Sequence, residues 1–360
     1  MLRIEIGMKI HIPFTGIWIA VALMALMVAC DPPKEKVVEP MEKPFPELAA
    51  VDSLMWKQPD SAFAVVRQLA ASPKADSLDE FNGHYCQLLI SELLYKNDYQ
   101  QSNREDLLKA VGYFDLLVVS ETRGASEHER NAFLDARVHY INGVGFYERG
   151  DVVNACAEYL KTLEVMEEHF EEKELVGHKA RFMAYTYNRL GDLFSEQFMM
   201  ESAITCYENA LVYCKIEPTS PIGVSNILYR IGIQYDKKNE EEIARSYFSE
   251  ALESMTVTDN MVYRDIVASK ALCDYEMNGD VKQALDKLNY TLIHAKTDNE
   301  RLHRYLTIGG IHFLERNYDS AIFYLEPVFE NNDAGLQTQA ASYLRIVYDS
   351  IGDVEKSNVY

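Results

Sequence analysis

Two stretches of the sequence carry the same order of glycine, aromatic and alanine residues. Residues 187–211 read YNRLGDLFSEQFMMESAITCYENAL, and residues 228–252 read LYRIGIQYDKKNEEEIARSYFSEAL. Gly191 of the first stretch corresponds to Gly232 of the second, and both lie inside a helical pattern. Glycine in a helix interior costs ~1 kcal/mol relative to alanine, so its recurrence indicates a packing requirement. Such self-similarity predicts an array of repeated supersecondary units.

The alanine of the second helix identifies further copies of the repeat. The corresponding positions are Ala155, Ala203, Ala244, Ala284, Ala321 and Ser357, with weaker early copies at Ala62 and Ala110. Their spacing suits a pair of antiparallel helices with two short turns. Apolar residues recur at i, i+3 and i+4 with hardly any alternation, which indicates an all-α chain. We predict about sixteen helices in eight hairpins from about residue 46 to residue 360.

The recurring glycines predict where the helices approach most closely. They are Gly143, Gly191, Gly232 and Gly309. Each is expected to face its hairpin partner, where the second-helix aromatics Tyr159, Tyr207 and Phe248 fill the space that a side chain would take.

These residues resemble the tetratricopeptide repeat (TPR) family. The resemblance lies in the Leu190-Gly191 and Ile231-Gly232 pairs, the aromatic residue three positions later, and the alanine–aromatic–alanine pattern of the second helix. It implies a right-handed α-solenoid of TPR-like helical hairpins, here over residues 47–360, with the last repeat incomplete. In this family the first helices line a concave surface that binds partners.

The N-terminus is predicted to lie outside the array. Lys9 precedes an apolar run that ends at Ala29-Cys30, which resembles a bacterial lipoprotein signal over residues 1–29, with Met1 or Met8 as the start. Cys30 would then be lipidated, and the proline-rich residues 30–46 would form a flexible linker. An uncleaved membrane anchor is the alternative. The implied location is the cell envelope of a Gram-negative bacterium, on the inner or outer membrane, with the array in the periplasm or at the cell surface.

The net charge argues against one class of function, and the spacing of the cysteines argues against a disulfide-stabilised fold. The chain has 35 Lys and Arg against 56 Asp and Glu, a formal charge of −21, which disfavours nucleic-acid binding. The cysteines after Cys30 form no CxxC pair, so they are interpreted as small buried apolar residues rather than a disulfide framework.

No motif predicts catalysis or a cofactor. The chain lacks a Walker loop, a GxSxG turn and a GxGxxG segment after a strand. Glu168, His169, Glu172 and His178 lie close together in the sequence, but an acidic, solvated helix end explains them better than a metal site. We therefore predict a non-enzyme without metal or cofactor.

A cationic stripe is the candidate binding site. The position before the leucine of the repeat is occupied by Arg189, Arg230 and Lys270 in successive repeats, flanked by Asn188, Tyr229 and Tyr140. On one groove wall these residues would bind a ligand carboxylate or acidic side chains. The alternative is that each cation pairs with a carboxylate of its own chain, such as Asp192.

Two functions from different classes follow. The first is a non-catalytic, membrane-anchored interaction module that binds a peptide or protein segment in its groove. The opening AVDSLMWKQPDSAFAVV (50–66) looks like those of Bacteroidota repeat lipoproteins, some of which continue into a cytoplasmic regulatory domain. This resemblance implies that the module serves as the sensory half of an envelope signalling system. The second is a carbohydrate-capturing outer-membrane lipoprotein. The few tryptophans and the lack of a long loop count against it.

Overall fold

The structure is a computed structural model that describes residues 43–97, 104–119, 125–217 and 223–360, all of them in one compact unit. Within these ranges every regular element is a helix and none is a strand. The first helices of the hairpins are α1 (Pro46–Leu54), α3 (Glu80–Lys96), α5 (Ala125–Tyr147), α7 (His178–Glu196), α9 (Gly223–Lys237), α11 (Met261–Asn278), α13 (Asp298–Leu314) and α15 (Ala334–Ile351). The second helices are α2 (Pro59–Ala70), α4 (Arg104–Val119), α6 (Val152–His169), α8 (Met200–Ile216), α10 (Glu241–Ser254), α12 (Val281–Ile293), α14 (Tyr318–Phe329) and α16 (Val354–Ser357).

Each helix packs mainly on its neighbours in the chain, and the sixteen described helices form adjacent pairs. This confirms the predicted all-α solenoid of TPR-like hairpins. The predicted alanine positions are confirmed as core positions, because all of them are buried: Ala62, Ala110, Ala155, Ala203, Ala244, Ala284, Ala321 and Ser357.

The turns inside the hairpins repeat one backbone conformation at a fixed distance from the alanine position. Five residues before each of the last six alanine-type positions, the backbone has positive φ: Gly150, Phe198, Asn239, Gly279, Arg316 and Gly352. Glycine adopts this conformation without cost, whereas Phe198 and Arg316 adopt it against the steric preference of L-residues. The hairpin geometry therefore overrides local preference at these two positions.

The four recurring glycines lie against buried side chains of the partner helix, as predicted. A Cβ atom built on Gly191 would lie 2.5 Å from Cε1 of Tyr207, and one built on Gly232 would lie 2.5 Å from Cε1 of Phe248. Gly143 meets Tyr159 in the same way, at 2.7 Å. The fourth copy differs, since Gly309 faces Leu325 rather than an aromatic ring.

The start of the described chain is attached to the array. The backbone N–H of Phe45, which the sequence assigns to the linker, donates to Oδ1 of Asn82 at 2.7 Å, and the Asn82 amide donates to the carbonyl of Lys43 at 3.3 Å. Residues 1–29 and Cys30 lie outside the described residues. None of the helices that are described has the length and apolar character needed to cross a membrane.

The described cysteines behave as the sequence predicts. None of the five described cysteines forms a disulfide, and four of them are buried while the fifth, Cys156, is partly exposed: Cys86, Cys156, Cys206, Cys214 and Cys273. They act as small core residues.

Candidate functional site

The first helices form one face of the array. Consecutive first helices pack on each other at α1·α3, α3·α5, α5·α7, α9·α11, α11·α13 and α13·α15, and the ion pair of Arg230 with Asp192 joins α7 to α9. The predicted stripe lies on α7, α9 and α11, so the structure does bring its residues to neighbouring helices of this face.

Arg189 and Arg230 converge on one carboxylate. Nη1 of Arg189 lies 3.4 Å from Oδ2 of Asp192, and Arg230 on α9 donates to Oδ1 of the same residue. Tyr207 donates to that oxygen at 2.9 Å, and Asp192 is only 7% exposed. Burial raises the pKa of Asp192, although the two guanidinium groups act in the opposite direction. The pair of arginines thus stabilises a buried carboxylate at the contact between two hairpins.

Arg189 has a second intramolecular partner. It donates to the hydroxyl of Tyr95 on α3, and its guanidinium lies 5.6 Å from the centre of that ring. A contact between α3 and α7 joins hairpins that are not neighbours in the chain, so Arg189 helps to set the curvature of this part of the array.

Lys270 is engaged in the same manner. Its ammonium lies 3.0 Å from Oδ2 of Asp274, one turn further along α11. Arg245 and Lys287 bind the same carboxylate from α10 and α12. Burial opposes ionisation of Asp274, but the hydrogen bonds from these three cations dominate and lower its pKa to about 2.

The flanking residues differ in accessibility. Tyr140 is buried, with its ring packed among Tyr95, Tyr159 and Phe182. Tyr140 is therefore a core residue and does not present its ring to a partner. Tyr229 is partly buried and its hydroxyl lies 3.4 Å from that of Ser269, while Asn188 is partly exposed.

All three cations of the stripe are thus bound to carboxylates of their own chain. This is the internal-pairing alternative, and it leaves no unneutralised positive row across α7, α9 and α11. Around Arg189 and Arg230 the surface has an open depression of about 240 Å³, which Tyr147 and Glu196 also line.

A second depression lies towards the N-terminus and was not predicted. A cavity of about 230 Å³ opens between α1, α3, α5 and α7, all of them first helices. Its lining residues are Pro44, Asp52, Ser53, Trp56, Tyr85, Arg130, Phe133, Leu134, Arg137 and His178. We call it the Trp56 pocket.

Trp56 connects the first hairpin to the fourth. Its ring lies 4.6 Å from that of His178 and meets Phe182 edge-on at 5.8 Å. Cations approach its indole as well, with Nζ of Lys96 at 4.0 Å and the guanidinium of Arg181 at 5.0 Å from the ring centre. Such contacts hold an aromatic ring in one orientation.

The floor of the pocket is a buried ion pair. Arg137, 2% exposed, donates to both oxygens of Asp52 at 2.8 and 2.9 Å and to both oxygens of Glu92 at 3.0 and 2.6 Å. Tyr85 adds a hydrogen bond to Asp52 at 2.5 Å. Two bidentate carboxylates fix the guanidinium plane, which makes the floor rigid.

Sequence reasoning missed this pocket because its residues are far apart in the chain. Asp52 and Arg137 are separated by 85 positions and Glu92 and Arg137 by 45. The one available signal was Trp56 itself, the only tryptophan after the predicted signal peptide.

Comparison with known proteins supports the fold and one repeat. The family model for the tetratricopeptide repeat matches residues 184–211, within α7 and α8. No curated protein matched the chain.

Among solved structures, the apo form of RapI is similar with a TM-score of 0.60 at 14% identity, covering 87% of this chain and 94% of that chain. NprR in complex with its cognate peptide NprX has a TM-score of 0.59 at 14% identity, covering 87% and 86%. A Rap protein complexed with Competence and Sporulation Factor has a TM-score of 0.56 at 14% identity, covering 87% and 83%. At this identity the likeness shows a shared fold.

Proposed function

We propose that this protein is a non-catalytic, membrane-anchored interaction module that binds a peptide or protein segment on its first-helix face. The observation that carries the proposal is the Trp56 pocket, which four first helices build around a rigid floor. Two of the similar structures, NprR and a Rap protein, are complexes with the peptide NprX and with Competence and Sporulation Factor, which agrees with this use of the fold.

The size of the pocket favours a side chain over a whole small molecule. Ligand pockets usually measure ~300–1,000 Å³, whereas the Trp56 pocket measures about 230 Å³. It therefore suits one side chain of a longer segment, with the rest of the segment lying along the first helices.

The chemistry of the walls defines that side chain. Trp56 and Phe133 offer apolar surface, while Arg130 and Arg137 bring positive charge to a chain of formal charge −21. Arg137 is already bound to two carboxylates, so it forms the floor of the pocket and the apolar walls are the surface assigned to the ligand. The segment that fits has an aromatic or aliphatic side chain.

The pocket replaces the cationic stripe as the primary contact surface. Arg189, Arg230 and Lys270 are each paired internally, so a partner that used them would have to compete with a buried carboxylate. They remain available only as a secondary surface, along which a long segment bound at the pocket would continue.

The membrane anchor is the lipid on Cys30, placed by the signal-like residues 1–29. The pocket lies close to the start of the described array, since Pro44 is one of its lining residues. Pro44 follows Cys30 by 14 positions in the sequence, so the pocket belongs to the part of the array that comes first after the anchor, which suits the receiving half of an envelope sensor.

The test is a substitution that fills the pocket and leaves the ion pair of its floor intact. Ser53 lines the mouth, is exposed, and its hydroxyl donates only to the Ala49 carbonyl one turn earlier. Ser53→Trp should therefore block the pocket while the array still folds. Peptides selected by phage display on the full-length protein should bind Ser53→Trp at least tenfold more weakly than wild type, by fluorescence anisotropy.

Ser350→Trp is the matched control, because Ser350 is also exposed and makes the same hydrogen bond to Ile346 on the distant helix α15. It should bind like wild type. Selected peptides that bind Ser53→Trp and wild type equally would reject the pocket. A glycan array with reproducible hits, together with no selected peptide, would favour the carbohydrate-capturing alternative.

A further inference from the structure

A cluster of one histidine and three carboxylates lies between the second and third hairpins, away from the Trp56 pocket. His139 and Asp135 are one turn apart on α5, Asp115 is on α4 and Glu158 is on α6. Nε2 of His139 is 3.2 Å from Oδ1 of Asp115 and 3.6 Å from Oδ1 of Asp135. One ligand atom from each of Asp115, Asp135 and His139 lies within 4.8 Å of the other two.

The other ring nitrogen of His139 is bound by Glu158. Nδ1 of His139 donates to Oε2 of Glu158 at 2.6 Å, which orients the ring so that Nε2 points at the two aspartates. This carboxylate–histidine pair is the arrangement that commonly orients a metal-ligating imidazole and increases its basicity.

One of the carboxylate oxygens is buried without a hydrogen-bond partner. The side chain of Asp135 is 2% exposed, and its Oδ1 accepts no hydrogen bond, the imidazole nitrogen at 3.6 Å being too distant. A buried unpaired carboxylate oxygen is costly, and such an atom calls for a specific explanation, an ion among them.

We propose that Nε2 of His139 and the Oδ1 atoms of Asp135 and Asp115 form a binding site for a divalent transition-metal ion, with Glu158 positioning the histidine. Zinc is bound by imidazole nitrogen and carboxylate oxygen at ~2.0–2.2 Å in tetrahedral geometry, which places ligand atoms about 3.3 Å apart. The two measured separations from Nε2, 3.2 and 3.6 Å, bracket this value.

Charge favours the same conclusion. Three acidic side chains surround a single imidazole, and a divalent cation would neutralise part of the negative charge of this cluster. A proton on Nε2 would be released to solvent when the ion binds there. Asp115 is 44% exposed and gives the ion a route from solvent.

The role implied by the location is a structural clamp. The ligands come from α4 and α5, and Glu158 adds α6, so the ion would join the second hairpin to the third. Because the ion binds the folded chain and not the unfolded one, it should raise the melting temperature.

The experiment uses the full-length chain in detergent, stripped with EDTA and titrated with zinc chloride by isothermal titration calorimetry. Wild type should bind one zinc ion and melt at a higher temperature with zinc than with EDTA. His139→Gln and Asp135→Asn should each weaken binding more than 100-fold. Glu158→Gln should weaken it 10- to 100-fold, as expected for a positioning residue.

His128→Gln is the matched control, because His128 is on the same helix and its Nε2 lies 3.1 Å from Nδ1 of His169, outside the cluster. It should bind zinc like wild type. Zinc-edge X-ray absorption on wild type provides a readout that does not depend on the variants folding, and it should show a single imidazole and oxygen ligands without sulfur.

Three results would overturn the proposal. They are the absence of saturable zinc binding to wild type, binding that is lost in His128→Gln but kept in His139→Gln, and a sulfur ligand in the absorption spectrum. The last would assign the ion to the cluster of Asp236, Cys273 and Glu276 instead.

Discussion

Replacing Gly191 by alanine should destabilise the array, although alanine is the better helix former. The added Cβ would lie 2.5, 2.6 and 2.9 Å from three ring carbons of Tyr207. Contacts under 3.0 Å force a movement, and the ring is 1% exposed, so it has no free space to move into. Its hydroxyl is also bound to Asp192 at 2.9 Å, and a shift of the ring would strain that bond.

The expected change in the free energy of unfolding combines three effects. Overpacking of a core costs ~1–3 kcal/mol. Weakening a hydrogen bond to a charged group costs up to ~1.5–3 kcal/mol. The higher helix propensity of alanine offsets ~1 kcal/mol of this loss. We therefore expect a net loss of about 2 kcal/mol for Gly191→Ala and a larger loss for Gly191→Leu.

The assay is urea denaturation of residues 43–360, followed by circular dichroism. Gly112→Ala is the matched control, because Gly112 is also inside a helix but a Cβ there meets nothing within 4 Å. It should stabilise the protein by ~0.5–1 kcal/mol, the opposite sign. In a Tyr207→Ala background, where the ring is gone, Gly191→Ala should cost less than in wild type. Equal urea midpoints for Gly191→Ala and wild type would show that the packing argument is wrong.

Four further outcomes follow from other parts of the structure. Arg137→Ala leaves two largely buried carboxylates without their cation, so it should lower the free energy of unfolding by ~3–5 kcal/mol in the same urea assay; a loss under 1 kcal/mol would contradict the buried ion pair. Asp274 has a folded pKa of about 2 against an ordinary value of 3.8, so its stabilisation is present above about pH 4 and lost as the pH falls towards 2. The difference in melting temperature between wild type and Asp274→Asn should therefore shrink between pH 5 and pH 2.5, and a constant difference would refute this. Phe198→Gly relieves a positive-φ residue and should stabilise the array by ~1 kcal/mol, measured by the shift in urea midpoint. Cys30→Ala should abolish incorporation of labelled palmitate in cells, and equal labelling of the variant would reject the lipid anchor.

The sequence by itself determined the repeat and hence the fold. Gly191 and Gly232, with the alanines that follow them, recur at a spacing that only a pair of packed helices satisfies, because close helix contacts require small residues at fixed positions. Local sequence is enough for this inference, because the residues that pack together in a hairpin, such as Gly191 and Tyr207, lie on two consecutive helices. The burial of Ala155, Ala203 and their counterparts confirmed it.

Only the tertiary structure decided what the first-helix face contains. The sequence places Arg189, Arg230 and Lys270 in register, but it does not determine whether a carboxylate on the same or a neighbouring helix neutralises them. That outcome depends on rotamers and on the curvature of the array. Contacts between distant hairpins, such as those of Trp56 with His178 and of Arg137 with Asp52, arise from the same curvature. A local repeat pattern carries no information on this curvature, because small rotations at each helix contact add up along the chain before the first hairpin meets the fourth.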